Sequence, residues 1–235
     1  MKRPFRVFVT GTDTGVGKTQ ASCALLSLLA DRGFHPAPFK PYESGCASLL
    51  RPADALAMRA AARSDDDLGR VCPHRFRFPV APGVAARRLG RNPPLDKTLA
   101  AFRSFDGRPL VAEGAGGLLV PLDFDHDVID LIELLRLPVL LVARAGLGTL
   151  NHTALSLEAL DHRRIEVVAV LLSRSTAGAD PSERDNAAEL RRRHGVRVLG
   201  PVPFLANAAR RHAAFRAALA PVLAGRRGVK RMLPE

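Results

Sequence analysis

The chain has 235 residues and a mass of 25.3 kDa, which is enough for one α/β domain with a sizeable hydrophobic core. Hydrophobic residues make up 47% of it, yet no apolar run approaches the roughly 20 residues of a membrane-spanning helix. The N-terminal apolar stretch is too short for a signal peptide, so we expect a cytoplasmic protein without a membrane partner. The net charge is +12, but the excess is almost all arginine and is scattered among few aromatic residues, which argues against a nucleic-acid partner.

Apolar runs alternate with helical patterns along the chain, and no repeat or linker divides it. The pattern predicts strands over 5–10, 35–40, 109–113, 138–143, 166–172 and 198–202. It predicts helices over 18–31, 52–62, 95–105, 127–136, 150–163, 183–194 and 207–223. We therefore expect a single α/β domain over residues 1–225, with a mostly parallel sheet and helices on both faces. A basic tail, 226–235, follows, and we expect it to be disordered.

A glycine-rich loop follows the first predicted strand, in the stretch VTGTDTGVGKTQ at residues 9–20. Five residues separate Gly11 from Gly17-Lys18-Thr19, one more than in the usual phosphate-binding loop. A strand, a glycine-rich turn and a helix start nevertheless bring free backbone N–H groups and a positive helix end to one point. Lys18 would reach the terminal phosphates of a nucleotide, and the Thr19 hydroxyl would bind Mg²⁺. The sequence therefore predicts a P-loop NTPase-like fold with a nucleotide site.

Polar or glycine-rich segments also follow most of the other predicted strands. They are KPYESG (40–45), EGAGGLLVPL (113–122), RAGLGTLNH (144–152) and SRSTAG (173–178). Ligands of parallel sheets bind beyond the carboxyl ends of the strands, so we expect these segments to converge on one edge. The helix start at about residue 150 adds free N–H groups that suit an anion.

Cysteine and histidine positions do not indicate a metal or redox centre. Cys23, Cys46 and Cys72 stand far apart, so we expect reduced structural thiols. The seven histidines form no cluster with metal-ligand spacing. The only metal that we expect is the Mg²⁺ that accompanies a nucleotide.

Three motifs in this order, GTDTGVGKT, KPYESG and EGAGGLLVPL, resemble the dethiobiotin synthetase family of the biotin pathway. The resemblance runs from about residue 5 to residue 205 and includes LGTLNH and LGPVPFL, and the longer loop spacing is typical of that family. It implies an ATP-dependent cyclo-ligase that forms C–N bonds. In the implied reaction, CO₂ or bicarbonate carbamates one amine of 7,8-diaminopelargonate and ATP phosphorylates the carbamate. The second amine then displaces phosphate to give dethiobiotin, with ADP and phosphate released.

The resemblance also implies roles for individual residues. Lys40 matches the family's active-site lysine, which would stabilise the carbamate and the transferred phosphoryl group. The implied catalytic residues are Lys18, Lys40 and Thr14, and the implied Mg²⁺ ligands are Thr19, Asp54 and Glu113. ATP would contact Gly15, Val16, Gly17, Lys18, Thr19, Gln20, Asp54, Glu113, Gly114, Ala115, Gly116, Ser173, Arg174, Pro203, Phe204 and Leu205. The substrate would contact Ser44 and, across the interface of a homodimer, Gly148, Thr149, Leu150 and Asn151.

One departure from the family concerns the base. Family members often carry Asn-Asp where this chain has Ser173 and Arg174, and the Asn side chain pairs with the adenine edge. A Ser hydroxyl does not reproduce the coplanar donor and acceptor of an amide. We therefore expect weak discrimination among nucleoside triphosphates.

An alternative function is a partition-type or switch-type P-loop ATPase that binds a macromolecular partner. The partition class carries a second lysine at the position where this chain has Asp13. A switch module would explain neither Lys40 with Ser44 nor the anion site at 148–151. These residues favour the synthetase over both alternatives.

Overall fold

The computed structural model describes residues 4–178 and 180–224, so the basic tail, 226–235, lies outside the described residues. The strands are β1 (Arg6–Gly11), β2 (Ala37–Phe39), β3 (Tyr42–Glu43), β4 (His74–Arg75), β5 (Leu110–Glu113), β6 (Val139–Arg144), β7 (Val167–Ser173) and β8 (Val198–Val202). The helices are α1 (Lys18–Ala30), α2 (Ala53–Ala61), α3 (Leu68–Val71), α4 (Pro82–Arg88), α5 (Leu95–Arg103), α6 (Val128–Leu135), α7 (Thr149–His162), α8 (Glu183–His194) and α9 (Ala208–Ala224). No helix in this part of the chain is long and apolar enough to cross a membrane.

Six strands form one parallel sheet in the order β2-β5-β1-β6-β7-β8. Strand β1 lies between β5 and β6, and its Val9 pairs with Glu113 on one side and Leu140 on the other. Because all six strands run in the same direction, their carboxyl ends meet at one edge. The predicted α/β fold with a mostly parallel sheet is confirmed.

The sheet is buried on both faces. Val7 and Val9 of β1 belong to a hydrophobic cluster that includes residues of α1 and α9. Phe8, between them, points to the opposite face and belongs to a second cluster that includes residues of α6. All three side chains are fully buried, and the burial of each stabilises the folded protein by about 1.5–3 kcal/mol. Continuous burial along β1 explains why its sequence is apolar at successive positions instead of alternating.

The sequence-based assignment missed four short elements, β3, α3, β4 and α4, which lie between β2 and α5. Strands β3 and β4 pair only with each other, in a small parallel sheet that places Tyr42 opposite His74. Helix α4 packs so closely on the loop before α6 that a Cβ at Gly83 would lie 2.6 Å from the backbone oxygen of Asp123. Contacts distant in sequence hold these elements, so periodicity gives little sign of them.

The three cysteines are free and buried. Burial raises the pKa of the Cys23 thiol to about 12 and also raises the pKa of Cys46 and of Cys72. Thiols with raised pKa values are poor nucleophiles, since the thiolate is the reactive form.

His74 is a buried histidine next to the small sheet. Its ring stacks on Tyr42 with 4.8 Å between the ring centroids, and its Nε2 lies 3.0 Å from Thr98 Oγ1. Burial, followed by the positive charge of Lys97, lowers the pKa of His74 from 6.5 to about 4. The folded protein therefore holds His74 neutral at a pH where the unfolded chain already binds a proton.

We expect the free energy of unfolding to fall as the pH drops from about 6.5 towards 4. As the pH falls, His74 binds a proton in the unfolded chain before it does so in the folded protein, so acid favours unfolding. The full contribution of neutral His74 to stability is present above the unfolded pKa of 6.5. At 1.36 kcal/mol per pKa unit, His74 contributes at most about 3 kcal/mol to this loss. The free energy of unfolding, measured with urea at pH 7.5 and at pH 5, tests this expectation. The variant His74→Gln should have a smaller difference between the two pH values, whereas His35→Gln, at an exposed position, should keep the wild-type difference.

Candidate active site

The phosphate loop joins β1 to α1 and depends on glycine. Gly17 precedes α1 with φ of +102°, and a Cβ there would lie 3.0 Å from Phe215 Cζ and 3.3 Å from Ser173 Oγ. No side chain caps α1, so its first-turn N–H groups are available to an anion. Lys18 Nζ donates to the backbone oxygen of Asp13 at 2.7 Å and so folds over the loop. The same segment contains Gly15 at φ +77°, buried Val16, and Gln20 in the first turn of α1.

Lys40 directly follows β2 and is buried between two carboxylates. Its Nζ lies 2.6 Å from Glu113 Oε1 and 3.2 Å from Asp54 Oδ2, and it donates to the backbone oxygen of Gly114 at 3.0 Å. Glu113 is 0% exposed at the end of β5, whereas the Asp54 side chain, in the first turn of α2, is 40% exposed. Thr19 Oγ1 donates to Glu113 Oε1 at 2.9 Å. This bond connects the phosphate loop to the Lys40 cluster, which we define as Lys40, Asp54 and Glu113.

The two lysines of the site have different electrostatic environments. Burial alone would lower the pKa of Lys40, but the carboxylates of Glu113 and Asp54 outweigh burial and raise the pKa above its usual value. For Lys18, burial and the nearby charge of Lys40 lower the pKa to about 8. Lys40 is therefore a permanent cation at neutral pH, while Lys18 in the free protein is close to its titration point.

The residues Thr19, Asp54 and Glu113 fit a divalent cation that also has phosphate ligands. Glu113 Oε2 is buried without a hydrogen-bond partner, which costs free energy unless a donor or cation binds it. Carboxylate and hydroxyl oxygens are hard ligands, and Mg²⁺ is usually held by one or two carboxylates together with phosphates. Across residues 4–178 and 180–224, no group of three or more His, Cys, Asp or Glu side chains could hold a metal. A cation at this set would therefore need phosphate oxygens to complete its coordination.

The glycine-rich segment after β5 packs directly on the phosphate loop. A Cβ at Gly117 would lie 3.5 Å from the backbone oxygens of Gly11 and Thr12. A Cβ at Gly116 would lie 3.6 Å from Thr14 Oγ1, so the exposed Thr14 hydroxyl borders this segment. Gly116 and Gly117 thus lie beside the phosphate loop, while Gly114, two residues earlier, packs against Phe8 and Val128 and is followed by Ala115.

The start of α7 forms a second uncapped helix end at the same edge of the sheet. Gly148 precedes the helix with φ of +90° and no side chain caps it. Thr149 is buried, and its hydroxyl forms a hydrogen bond with the hydroxyl of Thr153. Leu150 and Asn151 are exposed. Free N–H groups at such an end suit an anionic group.

Ser44, predicted to contact the substrate, lies in the KPYESG segment four residues after Lys40 and is partly exposed. This segment leaves the carboxyl end of β2, two strands away from β1 in the sheet. The start of this segment, at Lys40, therefore lies at the same edge of the sheet as the phosphate loop.

The residues predicted to contact the base lie where β7 and β8 end. Ser173 is buried, and Arg174 forms an ion pair with the buried Glu183 of α8. The backbone N–H of Arg174 donates to the backbone oxygen of Val202 at 2.9 Å. This bond joins the end of β7 to the segment Pro203, Phe204 and Leu205, which follows β8. That segment is largely accessible, with Phe204 39% exposed. Because Ser173 also borders Gly17, the structure brings this region to the phosphate loop.

Sequence reasoning missed two side chains near the site. Arg144, at the end of β6, forms an ion pair with Asp13 at 2.7 Å, next to the phosphate loop. Glu43, in β3, accepts hydrogen bonds from the backbone N–H groups of Asp54 and Ala55. Neither residue belongs to a local pattern that indicates its partner, because each contact joins separate elements of the chain.

A parallel sheet with a glycine-rich loop between its first strand and a helix N-terminus, and with a lysine and a hydroxyl at that helix start, defines a P-loop nucleotide-binding protein. A family model described as an AAA domain matches residues 6–211.

Similarity to known proteins shows which family of P-loop proteins the chain belongs to. The ATP-dependent dethiobiotin synthetase BioD of Anaeromyxobacter dehalogenans (strain 2CP-C) is 44% identical over 216 residues, which cover 91% of this chain and 96% of that protein. The enzyme of the same name from Bacillus subtilis (strain 168) is 33% identical over 202 residues, with 85% and 87% covered. Among solved structures, chloroplast FtsY from Physcomitrella patens has 14% identity and a TM-score of 0.47, over 93% of this chain and 66% of that chain. The chain belongs to the family of ATP-dependent dethiobiotin synthetases.

Proposed function

We propose that this protein closes the ureido ring of 7,8-diaminopelargonate as a cytoplasmic homodimer. One amine adds to CO₂ to form a carbamate with loss of a proton. A carbamate oxygen then attacks the γ-phosphorus of ATP, and ADP leaves. The second amine attacks the carbonyl carbon and loses a proton, phosphate leaves with its bonding electron pair, and dethiobiotin is formed. The observation that carries this proposal is the Lys40 cluster, with its buried Lys40 and Glu113, beside the phosphate loop in a member of this family.

The geometry suits phosphoryl transfer from a nucleotide to a carbamate. The phosphate-loop N–H groups and Lys18 bind the phosphates of ATP, and the charge of Lys40 stabilises negative charge on the carbamate and on the transferred group. Thr14, which borders the glycine-rich segment after β5, and Ser44 then contact the substrate. Lys40 supplies charge in this scheme instead of a proton, because Glu113 and Asp54 raise its pKa above the usual value and so favour its protonated form in the free protein.

Thr19, Asp54 and Glu113 would hold Mg²⁺ together with the ATP phosphates. The unpartnered Glu113 Oε2 supports this assignment. When bound, Mg²⁺ supplies electrostatic stabilisation of charge on the phosphate oxygens. Asp54 and Glu113 already contact Lys40, so the same carboxylates would also fix the position of the lysine.

We assign the carboxylate of the substrate to the uncapped start of α7 in the second subunit. Gly148, Thr149, Leu150 and Asn151 form this helix start, where N–H groups favour an anion. Exposed leucines lie in the same region, with Leu147 79% and Leu155 57% exposed. Apolar side chains at the surface are typical of a protein interface, which supports a homodimer with a shared substrate site.

An assay of ADP release with each reactant omitted in turn tests the proposed reaction. We expect ADP release to require both 7,8-diaminopelargonate and bicarbonate, because the carbamate is the phosphoryl acceptor. ADP release that is indifferent to the diamine would contradict the proposal and favour the switch-type ATPase.

The variant Lys40→Ala should lose turnover but still bind ATP. Lys18 and the loop N–H groups remain in place, while a charge that acts on the transferred group is removed. The expected decrease in kcat is about 10²–10³-fold. Lys97→Ala is the matched control, since the Lys97 ammonium bonds the backbone oxygen of Pro73. Normal turnover of Lys40→Ala at saturating ATP, combined with weaker ATP binding, would show that Lys40 binds nucleotide instead.

We expect the enzyme to accept several nucleoside triphosphates and to favour ATP only weakly over GTP or CTP. Ser173 offers one hydroxyl to the base, and Arg174 is bonded to Glu183. Strong discrimination needs buried polar groups that the wrong base leaves unpaired. Values of kcat/KM for the three triphosphates on one preparation measure the preference. A preference for ATP above roughly a hundredfold would mean that other groups recognise adenine.

A further inference from the structure

Glu43 is a buried carboxylate that lies in β3, three residues after Lys40, and is 5% exposed. Its Oε1 accepts a hydrogen bond from the backbone N–H of Asp54 at 3.0 Å, and its Oε2 accepts one from the N–H of Ala55 at 2.9 Å. Both oxygens thus bind the first turn of α2. Glu43 has little exposed surface left for a ligand.

Helix α2 has no cap of its own. Its N-cap residue is Pro52, which makes no side-chain hydrogen bond to the helix. The first turn of any helix carries N–H groups without a partner in the helix, and a negative charge there is favourable. Glu43 supplies both the acceptors and the charge, from a separate element of the chain. In α3, by contrast, the local residue Asp67 accepts the N–H of Gly69 at 2.7 Å.

This cap also holds Asp54 in place. The Asp54 side chain is 40% exposed, so packing alone does not fix it, and its one ion pair within the described residues joins it to Lys40 at 3.2 Å. The Asp54 backbone is bonded to Glu43. The segment from Lys40 to Glu43 therefore binds Asp54 twice, once through the side chain and once through the main chain.

We infer that Glu43 is a positioning residue that holds α2 so that Asp54 stays in contact with Lys40. Its catalytic consequence rests on the proposed function, in which Asp54 binds Mg²⁺ and Lys40 stabilises the transferred phosphoryl group. Without the Glu43 carboxylate, the first turn of α2 loses two hydrogen bonds and Asp54 gains freedom to leave Lys40. The effect should therefore be on the chemical step and on cation binding, with no change in substrate contacts.

The variants Glu43→Ala and Glu43→Gln test this role. Loss of a residue that orients a metal ligand typically costs about 10–100-fold in metal affinity or activity. We expect a decrease of that size in kcat and in Mn²⁺ affinity for Glu43→Ala, with the KM for the diamine unchanged. Glu43→Gln keeps the shape and one acceptor oxygen, so its loss should be smaller. Asp67→Ala, which removes a cap from α3, is the control and should retain wild-type kcat and Mn²⁺ affinity.

A double-mutant cycle separates positioning from a general loss of structure. In the background of Asp54→Ala, the change Glu43→Ala should cause no further decrease in kcat or in Mn²⁺ affinity, because its effect passes through Asp54. Amide hydrogen exchange should become faster at Asp54 and Ala55 in Glu43→Ala alone. A raised KM for the diamine, wild-type values of kcat and Mn²⁺ affinity, or full additivity with Asp54→Ala would overturn the inference.

Mn²⁺ affinity, read from the electron paramagnetic resonance of free Mn²⁺ in the presence of ATP, requires no turnover. A wild-type protein that fails to consume the diamine would therefore contradict the proposed function alone. Additive losses of Mn²⁺ affinity in the cycle would contradict the role of Glu43 alone.

Discussion

The ion pair between Lys40 and Glu113 is the interaction on which the rest of the site depends. Both groups are nearly or fully buried, and taking an ammonium and a carboxylate out of water costs several kcal/mol for each ion. The pair persists because the atoms are 2.6 Å apart and because Thr19, Asp54 and Gly114 add further contacts. Removing one partner of such a pair typically destabilises a protein by 3–5 kcal/mol, since the other charge is left buried alone.

The sheet order explains how these two charges meet. Lys40 and Glu113 lie at the carboxyl ends of β2 and β5, which are adjacent parallel strands with Phe39 opposite Ala112. β5 in turn pairs with β1, whose end begins the phosphate loop. A cation, a carboxylate and an anion-binding loop therefore lie at the carboxyl-end edge of the sheet, each directly after one of three neighbouring strands. Glycine in the loop and in the segment after β5 lets the two backbones approach within contact distance.

The sequence predicted the long helices and the strands of the main sheet well, and it predicted the short elements and the contacts between distant segments poorly. Helix α8 and strand β8 have the predicted bounds, and Gly195 ends α8 in the left-handed conformation that favours glycine. The predicted Thr19, Lys40 and Glu113 do meet. Glu43 was missed, because a carboxylate in a short strand gives no local sign that it caps a helix eleven residues further on. Such a contact follows only from tertiary structure.

The contrast between the two lysines suggests an order of events in the proposed reaction. Lys40 already has its counter-charge in the free protein, from Glu113 and Asp54, whereas Lys18 has no ion pair within the described residues. A triphosphate that binds would therefore gain more electrostatic stabilisation from Lys18 than from Lys40. Its negative charge would in turn raise the lowered pKa of Lys18. In the proposed reaction, the carbamate would instead share Lys40 with the two carboxylates that already contact it. A cation bound to Asp54 and Glu113 would offset part of their negative charge while both stay in contact with Lys40, so nucleotide and cation together would leave more of the lysine's charge for the acceptor.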